Sequence, residues 1–224
     1  MPFRRDCQPS FLKRALLAAL LALLAGSCNS AKNSSVNTTS PDEKSTAAAG
    51  DRIDMNCMSD RIARPPEAFH YSFKSTVGGP VDKEAEITPH SMDITIQNQC
   101  GSHQYHGVRS DEDSWNRTVL NLSGNGITVM TARVDSIKST SSVTRAGTAP
   151  VNGYQTTKYS IDTMSANSSD LQAYEAFFGS GSYEKGTIWV TADGCPVKLV
   201  LDEGRKQASS GVEKVHFEMD MVKR

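Results

Sequence analysis

Apolar and polar residues alternate strictly near the C-terminus. In KVHFEMDMVKR, Val215, Phe217, Met219 and Met221 interleave with Lys214, His216, Glu218 and Asp220. A period of two is that of an extended strand with one dry face and one wet face. The same alternation puts Phe69, Tyr71 and Phe73 on one face of AFHYSFKST, and Met92, Ile94 and Ile96 on one face of SMDITIQNQ. Tyr159 and Ile161 share a face of TTKYSID. GTIWVTADGCPVKLVLDEG predicts a hairpin about Ala192-Asp193-Gly194, because Asp-Gly favours a tight turn. Ile188 and Val190 line its first arm; Val197, Leu199 and Leu201 line its second. Together these segments predict an antiparallel sheet with one apolar face.

Helical spacing interrupts the strands. Ser110 can cap SDEDSWNRTVLNLSG, whose Asp111, Glu112 and Asp113 complement the helix dipole in the first turn. Trp115, Val119 and Leu122 then share a face, and Gly124 ends the run. Ser169 with Gln172 resembles a capping box for SDLQAYEAFFG, where Leu171, Tyr174 and Phe178 fall together before Gly179. Ile127, Met130, Val134 and Ile137 fit a helix, while the neighbouring valines and threonines fit a strand equally well. A short helix around 55–62 opens the domain and ends before Pro65-Pro66.

The first 50 residues follow neither period. Arg4, Arg5, Lys13 and Arg14 precede Ala15–Ala25, an uncharged apolar block. At about 1.5 Å per residue it reaches roughly 17 Å, too short for a hydrocarbon core of about 30 Å. A basic flank, a short apolar core and small residues predict a secretory signal over residues 1–27. Leu24-Ala25-Gly26-Ser27-Cys28 resembles the bacterial lipobox, which implies cleavage before Cys28 and acylation of its sulfur. Two or three acyl chains, at about 0.8 kcal/mol per buried methylene, hold a protein durably on a membrane. Residues 28–50 are then the lipidated cysteine and a linker, with Ser, Thr and Asn at half of positions 29–50. As a flexible coil it spans about 25 Å. Residues 51–224 remain as a single domain. The expected location is the bacterial envelope, facing the periplasm, with the outer membrane favoured where there are two because Asn29 follows Cys28.

Removing the signal takes away four cations and one anion, so the formal charge moves from −1 to −4. An acidic body with no basic stripe argues against a nucleic-acid partner. Cys57, Cys100 and Cys195 remain, enough for one disulfide in an oxidising compartment. Cys57–Cys100 is the preferred pair, since Cys195 suits a tight turn. Spacing leaves the other pairings open.

NGYQTTKYSID at 152–162, followed by GTIWVTADGCPVKLV at 186–200, resembles the lipoprotein-carrier superfamily of LolA, LolB and the mycobacterial LppX and LprG proteins. The shared features are a glycine-led strand, a Gly-x-x-Trp strand and an Asp-Gly-x-Pro turn, here Gly153, Gly186, Trp189, Asp193, Gly194 and Pro196. The resemblance implies an α+β fold: a strongly curved antiparallel sheet, a half-open barrel, with helices capping its concave face. It also implies that the concavity holds acyl chains. The expected ligand-lining set is Phe69, Tyr71, Phe73, Met92, Ile94, Ile96, Trp115, Val119, Leu171, Phe178, Ile188, Val190, Leu199, Phe217 and Met219. The expected partners are the membrane through acylated Cys28, a lipid or other hydrophobic ligand, and an envelope protein if the core is solid.

Chemistry of other kinds has little support. No Gly-x-Ser-x-Gly occurs, and GSGSYEKG at 179–186 suggests a flexible loop or lid. In CGSHQYH, His103 and His106 would face opposite ways on a strand, so no metal site is expected there. No catalytic residue and no cofactor is assigned.

Overall fold

In this computed structural model, residues 52–224 are described apart from 78, 125, 139–141, 166–168, 170, 173–174, 177–180 and 208–210. Nine strands form one antiparallel sheet: β1 (Phe69–Ser75), β2 (Val81–Ile87), β3 (Ser91–Asn98), β4 (Gly101–Val108), β5 (Val143–Val151), β6 (Tyr154–Asp162), β7 (Tyr183–Val190), β8 (Pro196–Gln207) and β9 (Gly211–Lys223). Their order across the sheet is β4-β3-β2-β1-β9-β8-β7-β6-β5, so the last strand pairs with the first and β4 and β5 are left as edges. Among the described residues α1 (Met55–Ala63), α2 (Glu112–Ser123) and α3 (Gly126–Lys138) pack their apolar stripes into the same core as the sheet. The architecture is an open α+β half-barrel.

Register makes the apolar alternation continuous across strands. Phe73 lies opposite Met219, Met219 opposite Leu199, Leu199 opposite Ile188, and Ile188 opposite Tyr159. All five are at most 2 % exposed. A one-residue slip of any strand would turn its whole apolar set to water, so burial itself pins the pairing.

Three details differ from the sequence expectations. Asp111, not Ser110, caps α2, its carboxylate accepting the Ser114 amide at 3.2 Å. The ambiguous stretch is helical: α3 buries Ile127, Met130, Val134 and Ile137, a stripe of period near 3.6 that finds an apolar sheet to cover. Residues 183–186 of the supposed lid open β7, with Gly186 opposite Leu201. An added Cβ at Gly186 would lie 2.2 Å from the Val200 carbonyl oxygen, so this glycine serves close strand approach and not mobility. The expected helix over 169–179 lies largely outside the described residues.

The disulfide expectation is corrected. Cys57 bonds Cys195, not Cys100. The β7–β8 turn folds back through the Thr191 amide donating to the Cys195 carbonyl, and Gly194 sits at φ +92°. The carbonyl of Gly194 accepts the Asp54 amide at 2.8 Å, while Arg61 reaches Asp193 at 3.0 Å. These contacts bring the N-terminal turn of α1 onto the hairpin, with Cys57 above Cys195. Cys100 lies on the exposed β3–β4 turn, at the edge side of the sheet. A tight turn therefore presents its cysteine to the helix packed on it.

A charged residue stands in the apolar row of β2. Lys83 lies opposite Phe73 and Ile96, and its ammonium donates to the carbonyls of Asn121, Leu122 and Gly124 at 2.8–2.9 Å. It thus caps the C-terminal end of α2 from beneath, where the dipole favours a cation. Burial lowers its pKa to about 8. The folded state therefore binds this proton more weakly than the unfolded chain, and stability rises with pH above about 8 until the unfolded lysine also titrates. Relative to Lys83→Met, the wild type should gain roughly 2 kcal/mol between pH 8 and 10. Denaturant titrations across that range would read the difference, and parallel profiles would refute it.

Candidate functional site

The inner face of the sheet and the helices above it form the candidate site. Of the expected lining set, Phe69, Tyr71, Phe73, Met92, Ile94, Trp115, Ile188, Val190, Leu199, Phe217 and Met219 are brought together in one core and are at most 2 % exposed. Ile96 and Val119 pack on its margin half-buried, and Leu171 is also half-buried. Phe178 lies outside the described residues. Outside the expected lining set, Met55, Met58 and Met130 of the helices and Met221 of β9 join the same core, each at most 1 % exposed. With Met92 and Met219 they make six thioethers along the sheet–helix seam.

Exposures this low leave no surface within the described stripe for a water-sized molecule. In this state the sheet and helices are packed directly against each other. Opening the seam would therefore require the helices to shift. Methionine makes such a shift less costly, since its unbranched thioether repacks readily.

Besides Lys83, two polar features of the seam bear on a ligand. The Tyr71 hydroxyl is fully buried, without a hydrogen-bond partner among the described residues, and burial holds its proton well above the usual phenol range. Tyr71 lies mid-strand on β1, opposite Ala85 and Met221. The second group is ionic. Glu184 and Glu203 face each other across β7 and β8, on the inner phase of both strands. Arg133 of α3 reaches them at 2.7 and 2.6 Å, with its guanidinium 5.2 Å from the Phe217 ring centre. All three are at most 3 % exposed. A sequence signal existed for each: Glu184 and Glu203 fall in phase with Ile188 and Leu201, and Arg133 with Met130 and Ile137.

No family pattern and no curated protein sequence matches the chain. Among solved structures it is similar to the lipoprotein LppX of Mycobacterium tuberculosis, at 14 % identity and TM-score 0.37, covering 78 % of this chain and 94 % of that one. It is also similar to MucB in complex with MucA, at 10 % identity and TM-score 0.32, covering 77 % of this chain and 55 % of that one. LprF of Mycobacterium bovis matches at 10 % identity and TM-score 0.31, over 77 % and 92 % of the two chains.

Two hollows outside the seam stand out among the described residues. One, of about 440 Å³, sits on the outer sheet face among His70, Glu84, Glu86, Asp93, Gln104 and His106. There His70 bridges Glu84 at 2.7 Å and Glu86 at 2.9 Å, and His106 meets Asp93 at 2.7 Å. His106 pairs with outward Asp93 and His103 with inward Ile96, so the two histidines do face apart. Among the described residues no three metal-ligating side chains converge. The other hollow, of about 540 Å³, opens between α1 and α2 and is lined by Ala63, Arg64, Arg109, Glu112, Trp115 and Asn116.

Proposed function

We propose that this chain is a lipid-tethered protein of the bacterial envelope that binds an apolar or amphiphilic ligand, without covalent chemistry, between the inner sheet face and its helices. Tyr71 carries the reading. A buried hydroxyl lacking a partner costs about 1–3 kcal/mol, and a carbonyl or carboxylate oxygen of a guest in the seam would accept its hydrogen bond. The surrounding aliphatic, aromatic and methionine side chains suit a guest of variable shape. The lipobox-like Cys28 supplies the tether, and residues 29–50 supply reach.

The full-length chain, purified in a mild detergent, should release a lipid on solvent extraction and take up a fluorescent fatty acid saturably. Tyr71→Phe should stabilise the delipidated protein by about 1 kcal/mol and weaken uptake roughly five- to tenfold, opposite signs that a merely structural tyrosine would not produce. No extracted lipid together with no saturable uptake would overturn the reading.

A second reading, an envelope protein-docking module with a solid core, is favoured by the near-zero exposure of the inner stripe. Crosslinking in intact cells would then trap one protein partner while the purified chain carries no lipid.

A further inference from the structure

The crevice between α1 and α2 combines features that a plain surface hollow lacks. Its floor is Trp115, 2 % exposed, a member of the core on its other side. The indole N–H donates to the Ala63 carbonyl at 3.0 Å, and Arg109 Nη1 donates to the same oxygen at 3.0 Å. The Arg109 guanidinium also lies 5.1 Å from the Trp115 ring centre. Its plane is thus held in place, yet no carboxylate pairs with it among the described residues. Arg64 lines the same crevice, tied among the described residues to Asp60 at 3.4 Å with both side chains largely exposed, a contact worth little in water.

A fixed guanidinium lacking an acid, beside a second arginine, matches the oxygen geometry of a phosphate. Glu112 and Asn116 line the same crevice and offer acceptors to hydroxyl groups. Resting on the ligand reading above, we propose that this crevice binds the phosphate head group of an amphiphile. Arg109 and Arg64 hold the phosphate, Glu112 and Asn116 meet its polyol, and Trp115 divides head group from apolar seam. The volume of about 540 Å³ accommodates a glycerol phosphate.

Trp189→Phe leaves Trp115 as the chain's one indole and a local reporter. Glycerol 3-phosphate titrated into the full-length protein in neutral detergent should change Trp115 emission saturably. Arg109→Gln should weaken that response at least tenfold. Arg64→Gln, which leaves the Ala63 contacts intact, should weaken it at least threefold. No saturable response, or one indifferent to both substitutions, would overturn the proposal. Inorganic phosphate binding as tightly as glycerol phosphate would overturn the head-group assignment in favour of free phosphate. The two readings fail separately. Lipid that co-purifies unchanged with Arg64→Gln/Arg109→Gln rejects the crevice and keeps the seam. Glycerol phosphate binding in a chain that carries no lipid and takes up no fatty acid keeps the crevice and rejects the seam.

Discussion

Arg133→Met is expected to destabilise the protein by about 3–5 kcal/mol, the range for removing one member of a buried ion group. The cause is specific. Glu184 and Glu203 stand directly opposite each other on adjacent strands, and Arg133 is the guanidinium that reaches both, at 2.7 and 2.6 Å. Like charges facing across a ladder repel, and low-dielectric surroundings magnify the repulsion. The triple substitution Arg133→Met/Glu184→Gln/Glu203→Gln should recover most of the loss, because it removes the charges together. Denaturant unfolding of the three proteins would measure this. A single variant as stable as wild type would mean that the carboxylates do not depend on the arginine. A triple variant as unstable as the single would mean that the loss comes from packing of the arginine stem.

Removal of the Cys57–Cys195 disulfide is the second large effect. The bond closes a loop with a sequence separation of 138 residues. Loop-closure entropy for that length amounts to roughly 5 kcal/mol, and native disulfides of this kind deliver about 2–5 kcal/mol when measured. Cys57→Ala/Cys195→Ala should therefore lower stability by about 3–5 kcal/mol. The loss should localise first at α1. With the covalent link gone, the N-terminal turns of that helix are held, among the described residues, by the Asp54–Gly194 backbone bond, the Arg61–Asp193 pair and the buried faces of Met55, Met58 and Ile62, while the Trp115 and Arg109 bonds to Ala63 hold its far end. Hydrogen exchange should show α1 amides opening before those of the sheet. Uniform destabilisation with α1 still protected would place the effect in the unfolded chain alone.

Much of the fold was legible in linear pattern. Alternation assigned the wet and dry faces of β1, β3, β8 and β9 because a strand's period is exclusive and one face had to leave water. The Asp193-Gly194 turn was legible because Gly194 occupies positive φ, where other side chains are strained. The ion triad was less so. Glu184 and Glu203 follow the apolar phase, but linear pattern does not show the arginine that α3 brings to them. The α1–α2 crevice was not legible at all, since Arg64, Arg109 and Trp115 belong to separate local patterns that meet only when α1 packs on α2.

Sequence alone determined which residues leave water and which local period carries them there, because hydrophobic alternation and capping act over a few neighbouring residues. It also carried the expectation of a lipid tether at Cys28, through chemistry confined to a short stretch. Tertiary structure decided what those local rules leave degenerate: that Cys57 meets Cys195, that 126–138 is helix, that Arg133 lies between two glutamates, and that Tyr71 is buried without a partner among the described residues. Each depends on which distant surfaces come into contact, and contact energy is set by burial and geometry between elements, not by the order of residues within one.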